Sequence, residues 1–154
     1  WMIRPSVKYP TLELRAPDCC TRLDDTIAIA ALYRVLARHL DQNPHHNQEL
    51  DAVSRAIAQE NKWRAQRYGV RGTFVSPEGA IPVAELVDQV LDLTAEDAEA
   101  LDCVAEVAHC RTIVAEGTSA DAQLAIFEAR EAEAGTEAAL LAVADWIAEN
   151  TAKG

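Results

Sequence analysis

Strand-forming sequence is confined to two short runs at the start of the chain, and nearly everything after them repeats with helical spacing. Ile3-Arg4-Pro5-Ser6 and Thr11-Leu12-Glu13-Leu14-Arg15 alternate around a Lys8-Tyr9-Pro10 turn. Two short strands cannot make a self-sufficient sheet. The expected class is therefore α+β, with short antiparallel strands at the N-terminus followed by a mainly helical region. Alternation sends Leu12 and Leu14 to one face of the pair and Glu13 and Arg15 to the other.

From Leu23 the apolar residues fall at helical steps, Ile29, Leu32, Leu36 and Leu40, with Asp24 and Asp25 near the start and Asn43-Pro44 at the end. A second helix is predicted from Gln48 to Tyr68, stopping at Gly69. Its stripe reads Leu50, Val53 and Ile57, which are expected to be core, and then Glu60, Arg64 and Arg67. A stripe that turns from apolar to charged suggests a polar cavity at that end. A surface Glu60–Arg64 pair is the competing explanation. Gly72-Thr73-Phe74-Val75 and the turn Ser76-Pro77-Glu78-Gly79 form a seam, and further helices are predicted near 82–93, 95–115, 119–133 and 136–151. Thr94-x-x-Asp97 and Thr118-x-x-Asp121 act as start signals, and Gly117 and Gly135 as stops.

Charge divides the chain unevenly. Residues 1–71 hold 11 of the 14 basic residues but only 8 of the 25 acidic ones, so the remainder is strongly acidic. The acidic residues lie mostly off the apolar stripes, as on a solvated face. Basic groups interleaved with carboxylates do not make a nucleic-acid surface. No apolar run approaches the roughly 18–20 residues of a membrane span, and Trp1-Met2-Ile3-Arg4 lacks a signal-peptide layout, so no membrane partner and a cytoplasmic location are expected. A start on Trp1 suggests a piece of a longer polypeptide. Cys103 and Cys110 lie about 10 Å apart along a helix, beyond disulfide reach, and with Cys19 and Cys20 are expected to be buried and reduced. His45-His46 is expected in an exposed turn. No phosphate loop or Ser–His–Asp signature is present.

Glu13 and Arg15 share a strand face about 7 Å apart. A carboxylate beside a guanidinium can hold a divalent cation and an anionic oxygen together, as phosphoryl transfer demands. Arg4 or Lys8 falls on the same face. The same residues could also form a cross-strand ion pair on a solvent-facing sheet, and spacing leaves both readings open.

The run from Ile3 to Arg15, followed by Asp18, closely resembles the carboxylate–amine ligase family, the type 2 glutamate–cysteine ligases. Asp24-Asp25 entering an Ala-rich helix, Glu60-Asn61-Lys62-Trp63-Arg64-Ala65-x-Arg67-Tyr68-Gly69 and Gly117-Thr118-Ser119-Ala120-Asp121-x-Gln123 agree with it, in order, over nearly the whole chain. Glu13-Leu14-Arg15-Ala16-Pro17-Asp18 also looks distantly like glutamine synthetase, where Glu-x-Arg and Pro-Asp lead into an apolar helix.

The resemblance implies a glutamine synthetase-like sheet and an enzyme that uses ATP and Mg²⁺ to activate an amino-acid-like carboxylate for attack by an amine. It implies Glu13 as metal ligand, Arg15 on phosphate or carboxylate oxygens, Arg4 and Lys8 against the phosphates of ATP, and Arg64 and Arg67 closing the site, with Glu60 orienting one of them. Family members are longer. Residues 1–71 would then form one wall of the site and 72–154 an acidic helical buttress, together the C-terminal part of one catalytic domain. Such a part is expected to be inactive without the N-terminal part of the same enzyme, and a homo-oligomer stays open. A binding or assembly module that keeps the scaffold without catalysis is the alternative.

Overall fold

The structure, a computed structural model, describes residues 3–48 and 51–152. The chain opens on strands β1 (Ile3–Pro5) and β2 (Leu12–Leu14), paired antiparallel with Ile3 opposite Leu14 and Arg4 opposite Glu13. Helix α1 (Leu23–Gln42) follows, then a short turn of 3₁₀ helix and α2 (Ala52–Tyr68). The segment expected as a seam is a β-hairpin, β3 (Thr73–Ser76) against β4 (Gly79–Pro82), in which Phe74 faces Ile81. Five helices complete the chain: α3 (Val83–Leu93), α4 (Ala95–Ala100), α5 (Val104–Glu116), α6 (Ser119–Ala134) and α7 (Thr136–Ala152). The α+β class is as expected.

The core lies where α1, α3, α4 and α5 meet. Ala31 and Val35 of α1 pack with Leu91, Ala98, Cys103 and Val107, and Leu32, Val87 and Leu101 close around them. The buried line of α1 is Asp25, Ala28, Ala31, Val35 and His39, not the leucine row the spacing suggested; Leu40 is exposed. Small side chains bring α5 close to α1, and the two polar members of the line are buried because each finds a partner. His109 Nε2 of α5 lies 2.9 Å from Asp25, and His39 Nδ1 lies 2.9 Å from Asp97 of α4. A buried carboxylate is tolerable on those terms, whereas the His39 imidazole is only half satisfied, its Nε2 being buried without a partner among the described residues.

Two other expectations are corrected. The helix expected over 95–115 is broken at Leu101–Cys103, where Asp102 takes a left-handed conformation (φ 51°). The amide of Cys103 bonds the carbonyl of Ala98 and that of Asp102 the carbonyl of Glu99, which is the two-bond pattern of a Schellman stop. Burial of Cys103 beside Ala98 in the core holds that reversal in place without a glycine. A helix does start after Thr94, as expected, but the side-chain cap that the pattern implies is absent, because the Thr94 hydroxyl turns back to donate to the carbonyl of Val90. At Thr118 the same pattern is a true capping box: the Thr118 hydroxyl accepts from the Asp121 amide while the Asp121 carboxylate accepts from the Thr118 amide.

Helix α2 differs from the others on which core was expected. It buries no residue, Val53 is 60% exposed and Ile57 only half-buried, and Leu50 lies outside the described residues. What holds α2 is polar. Asn61 donates to the carbonyl of Val75 and accepts from its amide, both at 2.8 Å, so its side chain pairs the outer edge of β3 as a neighbouring strand would.

Candidate functional site

Strand register sets the first group of candidate residues. Because Arg4 stands opposite Glu13, its guanidinium reaches Glu13 Oε2 at 2.7 Å, while Arg15, two residues along β2, reaches Oε1 at 2.9 Å. All three side chains are about half exposed. The Arg15 hydrogen bond, with a further contribution from Arg4, holds the Glu13 carboxyl below the usual carboxylate range. Lys8 stands in the connecting turn, its ammonium 5.3 Å from the centre of the Tyr9 ring. The opposite face of β2 behaves as alternation required. Leu12 and Leu14 line an open groove of about 620 Å³ with Pro17, Ile29, Ala30 and Tyr33.

The second group sits at the end of α2. Arg64 bonds Glu60 at 2.8 Å and reaches both the hydroxyl (3.1 Å) and carbonyl (3.4 Å) of Thr73 on β3. It therefore works with Asn61 in docking the helix on the hairpin. Arg67 is exposed, with its guanidinium 5.7 Å from the centre of the Tyr68 ring. No hydrogen bond or ion pair among the described residues joins Arg64 or Arg67 to the strand-pair group. The structure thus brings together Arg4, Glu13 and Arg15, and separately Glu60, Arg64 and Thr73.

A third group gathers the remaining motif residues, together with several that sequence reasoning missed. Arg22 bonds Asp25 (2.9 Å) and Glu116 (3.0 Å), and Thr21 bonds Ser119. Arg71, just beyond α2, reaches Asp121 at 3.1 Å. Backbone donation from Thr118, with help from the Thr118 hydroxyl and Arg71, holds the Asp121 carboxyl below its ordinary range. Gly117, at φ 96°, passes so close that a side chain there would press on Asp121 and the Arg71 guanidinium. This seam carries the α6–α7 hairpin on the body of the molecule through polar contacts. The available signal for it was Asp25, a carboxylate standing in line with Ala28 and Ala31 on a helix face.

A fit to Mg²⁺ or ATP can be judged from these donor sets. No group of three His, Cys, Asp or Glu side chains among the described residues could hold a metal ion. Glu13 is a single hard oxygen donor whose two oxygens are both taken by guanidinium groups. A divalent cation there would have to displace an arginine and recruit donors from beyond these residues, since Mg²⁺ prefers six oxygens. An anion fits the two guanidinium groups directly. His45 and His46 are exposed on their 3₁₀ turn, as expected. The four cysteines are free; Cys103 and Cys110 are buried, and desolvation pushes both thiols up, whereas Cys19 is exposed, contrary to expectation. No helix among the described residues is long and apolar enough to cross a membrane.

Comparison with known proteins agrees with the motif order. A model of glutamate-cysteine ligase family 2 matches residues 1–141, and on that match the chain belongs to this family. It is 53% identical over its whole length to a protein of Bradyrhizobium diazoefficiens named "Putative glutamate--cysteine ligase 2", of which it covers 35%. Proteins of the same name from Bradyrhizobium sp. (52% identical, 98% of this chain, 36% of that protein) and Rhodospirillum rubrum (46%, 98% and 40%) are also similar. The chain thus spans little more than a third of the length of the first two relatives.

Proposed function

We propose that this chain is one part of an ATP-dependent carboxylate–amine ligase of the glutamate–cysteine type, and that its strand pair holds anionic oxygen during the reaction. The observation that carries this reading is the convergence of Arg4 and Arg15 on one point of a half-exposed sheet face, fixed by strand register. In such a ligase the substrate carboxylate attacks the terminal phosphorus of ATP, ADP departs, and the amine then displaces phosphate from the acyl phosphate to leave an amide. Negative charge builds on oxygen in both steps. Guanidinium groups placed beforehand stabilise that charge at little reorganisation cost.

Glu13 keeps the two arginines aligned when no anion is bound, and gives them up in turn to phosphate or carboxylate. Mg²⁺ would supply charge neutralisation at the phosphates, with Glu13 as one of its ligands only after exchange of an arginine. Lys8, on the turn between the strands, adds a further cation for phosphate. Arg67 faces solvent and is free to close on the substrates, while Arg64 sets the position of the helix that carries it. The activity belongs to the longer polypeptide, and completion of the site by the rest of that polypeptide is part of this proposal.

The same triad favours a second reading, a scaffold-retaining binding module in which Arg4–Glu13–Arg15 is only a cross-strand ion pair. Glu13→Gln in the intact polypeptide decides between them. On the ligase reading, amide formation with glutamate, an amine and Mg·ATP falls at least a hundredfold while the melting temperature stays within about 2 °C. Unfolding without any activity in the parent would establish the ion-pair reading.

A further inference from the structure

The seam that carries the α6–α7 hairpin holds a cleft of about 330 Å³, walled by stretches far apart in the sequence. They are Thr21 and Arg22 before α1, Arg71 beyond α2, the α5–α6 junction, and Trp146 and Asn150 of α7. The first three are tied together, Thr21 to Ser119, Arg22 to Glu116 and Arg71 to Asp121. The walls are therefore set by this chain's own contacts, and the volume is at the small end of the roughly 300–1,000 Å³ of small-molecule sites. No hydrogen bond or ion pair among the described residues joins the cleft to Arg4, Glu13 and Arg15.

Charges of both signs line this cleft, and their bonds within the chain leave capacity over. Arg71 meets Asp121 through Nε, which leaves its two terminal nitrogens for a further pair of oxygens. Glu116 receives Arg22 on Oε2, which leaves Oε1 for a further donor. Gly117 sets how close the two groups come. A Cβ there would stand 3.4 Å from Arg71 Nη2, so the guanidinium lies against the residue that follows Glu116. A ligand that meets both must carry its negative and positive groups close together. The Trp146 ring and Ala122 supply an apolar wall beside them. We infer that the cleft binds a free α-amino acid, with its carboxylate on Arg71, its ammonium on Glu116 and an apolar side chain against Trp146. A simple anion would face Glu116 unpaired, and a simple cation would face Arg71; a zwitterion is matched at both ends.

Binding is read without ATP or turnover, so this inference stands or falls apart from the ligase reading. The probe is L-leucine, whose branched side chain suits the Trp146–Ala122 wall. NMR titration of the intact polypeptide should give saturable binding with a dissociation constant of about 1 mM or below. 4-Methylpentanoate, which lacks the ammonium, and L-leucinamide, which lacks the carboxylate, should each bind at least about tenfold more weakly, through loss of one set of charge-assisted hydrogen bonds. Arg71→Gln and Glu116→Gln should each weaken leucine by a similar factor, and selectively. Arg71→Gln should leave leucinamide binding as it was, and Glu116→Gln should leave 4-methylpentanoate binding as it was. Ala122→Leu, which fills the apolar wall and alters no charge, should also cost at least about tenfold, and it decides the matter if a charge variant fails to fold. No binding by the parent at about 10 mM leucine overturns the assignment, including where another part of the polypeptide fills the cleft. Binding that survives the charge variants or Ala122→Leu, or a loss in the charge variants shared equally by all three ligands, overturns it as well.

Discussion

Helices α1 and α2 are of similar length, 20 and 17 residues, and each carries motif residues, yet they are held by different forces. α1 buries five side chains, two of them polar, in the shared core, and α2 buries none. The contrast shows that motif density says nothing about burial. α1 is fixed by close packing of small residues around satisfied polar pairs, and α2 by side chains that bond a strand edge. The sharpest way to break that contrast is to delete the same two methyl groups from each. Val35, fully buried, should cost roughly 2 kcal/mol on change to Ala through lost contacts and a cavity. Val53→Ala, on an exposed site, should stay within about 0.5 kcal/mol. Urea unfolding of the two variants checks both, and equal costs would mean that α2 is covered in the intact polypeptide.

The next largest effect should fall at the polar attachment of α2. Asn61→Ala removes the only side chain seen to pair the Val75 amide and carbonyl among the described residues. A loss of about 1–2 kcal/mol is expected, concentrated in the hairpin. Hydrogen exchange should show the Val75 amide speeding by about tenfold or more while amides of α1 are unchanged. A uniform loss of protection would mean that α2 and the hairpin fold as one unit with the core.

These two helices also explain what could be read from the sequence. Strand alternation predicted the two faces of β2 because period two leaves no freedom in which side a residue takes. It could not say whether Glu13 would meet a guanidinium or a metal ion, since Arg4 and a metal compete for the same oxygens. Helical spacing located α1 but chose the leucine row over Ala28, Ala31 and Val35, because hydrophobic size outweighs the closeness that small residues allow. It missed Asp25 with His109 and His39 with Asp97, whose partners lie 84 and 58 residues away. On α2 the polar end of the stripe was legible, but Arg64 and Asn61 were legible only as chemistry; their use on Thr73 and Val75 depends on a hairpin whose turn the sequence did mark.

The α6–α7 seam extends the comparison to a second polar attachment, and it should respond to acid. Asp121 has its pKa lowered by the Thr118 amide and Arg71. A depressed carboxyl contributes stability that is present above its unfolded value, near 3.9, and is lost as pH falls from there through its folded value. Thermal melts between about pH 6 and 3 should therefore show the parent losing more stability on acidification than Asp121→Asn, which starts lower and has less to lose. Parallel curves would remove Asp121 from the linkage.

The smallest expected effect tests the stop between α4 and α5, on the packed side of the comparison. Asp102 is held at φ 51°, where an L side chain meets its own carbonyl and glycine does not. Its side chain is exposed and enters none of the hydrogen bonds or ion pairs among the described residues. Asp102→Gly should thus relieve local strain by more than the extra freedom it gives the unfolded chain, a net gain of about 0.5 kcal/mol. Removing a carboxylate close in sequence to Glu99 and Glu106 works in the same direction. The melting temperature should rise by about 1–2 °C, with no change at Asn61 or Val75 by hydrogen exchange. A fall would show that the core around Cys103 tightens the reversal enough to make a flexible residue there a loss, and would place the stop under the control of packing, as α1 is.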